Sequence, residues 1–176
     1  LVFQDRAISL ISDVANIDSA STFEITREFG CVARKTIVAS GPQYYFLSAR
    51  GVMVLQQGLD PAKGLGVAIS KVSGEAKPLS EPILDEFRDI NAAAVSGAVA
   101  TVFDNKVFFA VPTGTSTVNN VCAVYDILTN SWVSKDTFPS GFQIDDFVEL
   151  PVGTDPKRRE LFIVNPTGIY QFTSTG

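Results

Sequence analysis

Three sets of side chains in this sequence have the types and spacing to do chemistry. Asp145, Asp146 and Glu149 could offer oxygens to a hard cation such as calcium, which needs several of them on a bent loop. Asp85, Glu86 and Asp89 could serve a metal or an acid–base step, and Lys157, Arg158 and Arg159 could grip a phosphate or an acidic partner. Each set also has a plainer reading, which we favour. The first acids fall on an expected strand, whose alternation divides them between two faces. The second set forms the solvated face of a short helix, with no complementary ligand nearby in sequence. The basic residues follow Pro151, Gly153 and Pro156, as a loop tip would. Asp104, Asp126 and Asp136 mark turns.

Nucleophiles are present without partners. Ser48 and Ser140 have no base, because the 176 residues include no histidine and no lysine in a recognisable Ser-Lys arrangement. That absence removes an imidazole base, a Ser-His-Asp triad and most zinc sites. Tyr44, Tyr45, Tyr125 and Trp132 could stack on sugars if exposed, but aromatic residues of this kind are expected to fill the spaces between sheets. The sequence therefore assigns no catalytic, cofactor-binding or metal-ligating residue, and it reads as a non-enzyme with no cofactor.

The elements that would position these groups are strands. With 45% hydrophobic residues and 13 Phe, the chain is a folded body, and recurrent Val and Ile favour sheet over helix. A net charge of −5 argues against a surface that wraps nucleic-acid phosphates, so no direct sequence-specific nucleic-acid binding is expected. Cys31 and Cys122 lie in apolar strand-like contexts, form no CxxC pair and read as buried free thiols. No apolar run approaches the roughly 18 to 20 residues that span a bilayer, so a soluble chain is expected. Because it opens at Leu1 inside an apolar run, the sequence also reads as a segment of a longer polypeptide.

In chain order, residues 1–3 and 7–11 form a hairpin-like pair. Residues 21–29 alternate like a half-buried strand carrying Phe23 and Ile25 inward. Residues 44–48 and 52–55 flank Ala49-Arg50-Gly51 as a hairpin, and residues 58–66 read as a loop before a strand over 67–72. Ser80-Glu81-Pro82 has the chemistry of a helix start, and Ile83, Phe87 and Ile90 set one amphipathic helix over residues 80–90. Residues 98–103 and 106–111 form a hairpin over Asp104-Asn105. The stretch from Asn119 to Trp132, which holds the only Trp, reads as two strands around a turn at Asp126-Ile127-Leu128-Thr129-Asn130. A turn-rich segment to Pro139-Ser140-Gly141, a strand over 143–150, and a last hairpin around Asn165-Pro166-Thr167-Gly168 complete the chain.

An internal repeat organises these pieces. Placing Gly51 on Gly168 brings Tyr45-Phe46-Leu47 onto Phe162-Ile163-Val164 and Leu55 onto Phe172, and residues 107–111 form a third copy of the first strand. A repeated four-strand unit predicts an all-β chain: a β-propeller or partial propeller of antiparallel blades with one short helix. Residues 1–176 then form a single β domain of about four full or partial blades. A two-sheet β-sandwich is the alternative.

Val124-Tyr125-Asp126 with Thr129-Asn130-Ser131-Trp132 is similar to the blade-closing pattern of kelch-type propellers, without their preceding paired glycines. A longer series covers most of the chain: Gly30-Cys31-Val32-Ala33, Ile37-Val38, Tyr45-Phe46-Leu47-Ser48, Gly51-Val52, Leu79-Ser80-Glu81-Pro82-Ile83, and Asn120 with Val124-Tyr125-Asp126 and Trp132. This series resembles the propeller region of tail proteins of short-tailed bacteriophages, the tail nozzle or DNA-stabilisation class. The resemblance implies a structural virion protein, present in the host cytoplasm during assembly. It would form a homo-oligomeric ring with copies of itself, contact other phage tail proteins, and help retain or conduct the genome until ejection. A carbohydrate- or protein-binding propeller module, using loops 113–119 and 151–159, is the alternative function.

Overall fold

The computed structural model describes residues 1–13, 15, 18–60, 64–69, 71–72, 75–155 and 157–172. The chain is all-β, built from small antiparallel sheets in two compact units, Leu1–Arg88 and Asp89–Gly176. Among the described residues, every sheet pairs strands in sequence order, and no helix is long and apolar enough to cross a membrane.

The first unit opens with β1 (Val2–Phe3), β2 (Ile8–Ser12) and β3 (Ser21–Thr26), a three-stranded meander. A 3-10 turn at Arg34–Thr36 leads into a four-stranded meander of β4 (Val38–Ser40), β5 (Gln43–Ser48), β6 (Gly51–Asp60) and β7 (Gly64–Ile69). The expected loop over 58–66 is corrected here. Gly58, Leu59 and Asp60 continue β6 and pair with Gly66, Leu65 and Gly64, while residues 61–63 lie outside the described set, as does Ser70 of the expected strand over 67–72. β8 (Lys71–Val72) and β9 (Glu75–Ala76) make a short ladder.

The core of this unit gathers Ile8, Phe29, Cys31, Phe46, Met53 and Leu55, with Phe3 edge-on to Phe46 at 5.2 Å. Two of the inward positions on β5 and β6, Phe46 and Met53, are directly paired across the strands. Gly30 is fixed by crowding. A Cβ there would overlap the carbonyl oxygen of Gln4 and sit 2.7 Å from the Ala7 nitrogen, where the Cys31 N–H donates to Gln4 at 2.8 Å. Phe23 was expected inward, but it is 56% exposed, on the outer strand β3.

The expected helix over 80–90 is also shortened. A 3-10 turn (Glu81–Ile83) precedes a five-residue α1 (Leu84–Arg88), and Ile90 instead bridges to Thr113 in the second unit's own fold. Ser80 does not cap α1. Its buried Oγ accepts the Val52 N–H at 3.1 Å, while the Leu79 N–H donates to the Val52 carbonyl at 2.6 Å.

The second unit has a 3-10 turn at Val95–Gly97, then a four-stranded meander of β10 (Val99–Phe103), β11 (Lys106–Val111), β12 (Val121–Asp126) and β13 (Ser131–Thr137). A three-stranded meander follows: β14 (Asp146–Pro151), β15 (Arg159–Asn165) and β16 (Gly168–Gln171). β13 occupies part of the segment expected to be turn-rich, and the strand expected over 143–150 starts later, at Asp146. Asp104 and Asn105 form the two-residue hairpin turn with φ of 47° and 57°, the left-handed dihedrals that short polar side chains tolerate best after glycine. Val99, Phe108, Ala110, Cys122 and Val124 from the first meander pack with Ile144, Leu161 and Ile163 in one core.

Candidate functional site

Antiparallel register assembles one face of the second unit's four-stranded sheet. Phe103, Lys106 and Asp126 form one row, Thr101, Phe108, Val124 and Ser134 the next, and Val99, Ala110, Cys122 and Asp136 the third. β15 and the end of β16 cover part of this face. The Phe172 N–H donates to the Leu161 carbonyl at 2.8 Å, and its ring meets Phe108 edge-on at 5.4 Å.

The uncovered part is a recess of about 610 Å³ with an apolar floor of Phe103, Phe108, Val124, Leu161 and Phe172. Asp104, Lys106, Ser134 and Asp136 supply its polar rim. Lys106 Nζ lies 3.8 Å from Asp104, and the Ser134 hydroxyl donates to Asp136 at 3.1 Å. A second recess of about 590 Å³ shares Phe103, Asp104, Leu161 and Phe172 and continues over Glu149, Lys157, Arg159 and Glu160. Within it Arg159 meets Glu149 at 2.6 Å, and Glu160 pairs with the adjacent Arg158 at 2.9 Å.

Electrostatic environment follows position on this sheet. Burial pushes the Cys122 thiol far above its ordinary value, and the charge of Asp136 adds to the rise. Burial also raises the Tyr125 phenol, with a smaller push from Asp126. The Asp126 carboxyl is held below the usual carboxylate range, first by the Thr129 N–H, then by the Leu128 N–H, the Thr129 hydroxyl and Lys106, against a smaller opposing effect of desolvation. Its Oδ1 accepts the Leu128 and Thr129 amides at 2.8 and 3.0 Å, the turn expected from those residue types.

The other candidate residues are dispersed. The Asp145 carboxylate accepts from Gln143 at 2.9 Å, Asp146 begins β14 and accepts the Phe147 N–H at 3.0 Å, and Glu149 pairs with Arg159. Among the described residues no three His, Cys, Asp or Glu side chains converge as a metal site. Asp85 pairs with Arg88 at 2.9 Å. Ser48 is buried, with its Oγ accepting the Arg50 N–H at 2.9 Å. Cys31 and Cys122 are both buried and unbridged.

Tyr45 and Tyr125 are buried, and Tyr44 packs against the first unit's core. Trp132 was expected between sheets. It is half-buried on β13, and its contacts include Tyr125, edge-on at 5.3 Å, and Phe109 at 6.3 Å.

Sequence reading missed the work of Asn119. The side chain is buried, and its Nδ2 donates to the carbonyls of Gly97 at 2.8 Å and Ile144 at 2.7 Å. The Ile144 N–H returns a bond to the Asn119 carbonyl at 3.0 Å. The only signal was an Asn beside the start of an apolar strand, which turn chemistry alone explains. No known protein-family model and no curated protein sequence matches the chain.

Proposed function

We propose that this chain is a structural protein of a short-tailed bacteriophage virion. Its four meanders of three or four strands serve as full or partial propeller blades, and identical copies assemble into a ring at the tail end that helps retain or conduct the genome. The observation that carries this reading is the repeat. The three segments that match in sequence lie on β5, β11 and β15, each the second strand of its meander. Gly51 and Gly168 both open the return strand after a two-residue turn, opposite Ser48 and Asn165. Equivalent residues at equivalent strand positions are what a repeated blade unit requires.

Two further features agree with assembly around DNA. Edge strands expose apolar side chains, Phe23 on β3 and Ile169 and Tyr170 on β16, and such edges suit subunit contact. The net charge of −5 weakens adhesion to a passing polyanion. Gold-labelled antibody raised against the chain tests the location. Label confined to the tail end of intact particles is expected, and particles that carry none would overturn the reading.

A further inference from the structure

We propose that the recess beside β13 binds a small amphipathic cation, with an aromatic ring on the Phe108 and Phe172 floor and a protonated amine at Asp136. Its volume of about 610 Å³ lies within the range of small-molecule sites, and an apolar floor with a few polar rim groups is their usual chemistry. The rim selects the sign of the guest. Lys106 stands against Asp104 at 3.8 Å and also acts on Asp126 in its own row. Asp136 receives a hydrogen bond from Ser134, and no cation pairs with it among the described residues.

Two carboxylates and one ammonium thus line the recess, with Asp126 beside Lys106 in its row, which disfavours an anion. A protonated amine would gain a charge-assisted bond to Asp136, and the ring edge-on and face contacts would come from the phenylalanines.

Three probes sharing one indole ring test the inference: tryptamine, its neutral alcohol tryptophol, and indole-3-acetate. Titration of the isotope-labelled full chain should show saturable shifts for tryptamine at Val124, Ser134 and Leu161. Tryptophol should bind more weakly by about threefold to tenfold, the worth of one partly screened ion pair, and indole-3-acetate more weakly still. Asp136→Asn should lower tryptamine to the level of tryptophol while leaving the urea midpoint near the parent value. Ser134→Leu, which fills the recess from its rim, should weaken all three. Absence of saturable tryptamine shifts at these residues would overturn the inference. So would equal binding of tryptamine and tryptophol, or an undiminished preference for the amine in Asp136→Asn.

Discussion

Ser80 stands where a side chain on Gly51 would have to go. A Cβ on Gly51 would overlap the Ser80 Oγ and reach Pro78 Cβ at 3.4 Å, and Gly51 holds a φ of 120° that other residues rarely adopt. Gly51→Ala is expected to destabilise by about 1–3 kcal/mol through backbone strain and overlap. Ser80→Ala should cost about 1–3 kcal/mol by leaving the buried Val52 N–H without its acceptor. In the double variant the overlap is relieved, so the combined loss should be smaller than the sum. Strict additivity in urea denaturation would deny the relationship.

Asn119 ties two distant carbonyls to one strand end. Asn119→Ala removes both donors from buried surroundings and should cost about 1–3 kcal/mol. Asn119→Asp keeps the size but sets a carboxylate against the Gly97 and Ile144 carbonyls, so its loss should be larger. Urea midpoints of the two variants give the order directly, and equal midpoints would remove the hydrogen-bonding account.

Acid should act on the turn after β12. The carboxyl of Asp126 titrates lower in the folded chain than in the unfolded chain, chiefly because of the Thr129 N–H. Its contribution is therefore fully present above the unfolded carboxylate value, and it is lost as pH falls through the lower folded value. Asp126→Asn should flatten this part of the stability–pH curve below about pH 4. An unchanged acid limb in that variant would place the acid sensitivity elsewhere.

Trp132 is half-buried, so its removal should be milder than for a fully enclosed Trp. Trp132→Ala is expected to cost about 1–3 kcal/mol, from lost apolar burial and the edge-on contact with Tyr125. Tyr125→Leu in the same background should show coupling with it, measured by a double-mutant cycle. Independent effects would mean that the ring contact contributes nothing.

Hairpins were the legible part of this fold. Ala49-Arg50-Gly51, Asp104-Asn105 and Pro166-Thr167-Gly168 combine turn residues with apolar runs on both sides, and each joins the strands expected of it. The start of β13 was read as the strand after the turn at Asp126–Asn130, but its extension beyond Trp132 was hidden because Ser134, Lys135, Asp136 and Thr137 have the composition of a loop. The end of β6 was hidden for a related reason, since Gln56-Gln57-Gly58 interrupts the apolar pattern that pairing to β7 nevertheless carries through. The helix was overestimated because Ser80 has cap chemistry but spends its oxygen on Val52.

The recess was beyond sequence pattern altogether. Phe103, Phe108, Val124, Leu161 and Phe172 come from separate strands and meet only through register and the packing of two meanders. Asp136 looked like a turn acid, and its position on the third row of the sheet depends on a bulge between Val124 and Tyr125 that no local residue announces.

The mass of the native assembly tests the proposed role most directly. Native mass spectrometry of the purified chain should give one closed multiple of the 18.9 kDa protomer, as a ring of identical copies requires. A folded chain that stays at the protomer mass across the whole micromolar range would contradict the account.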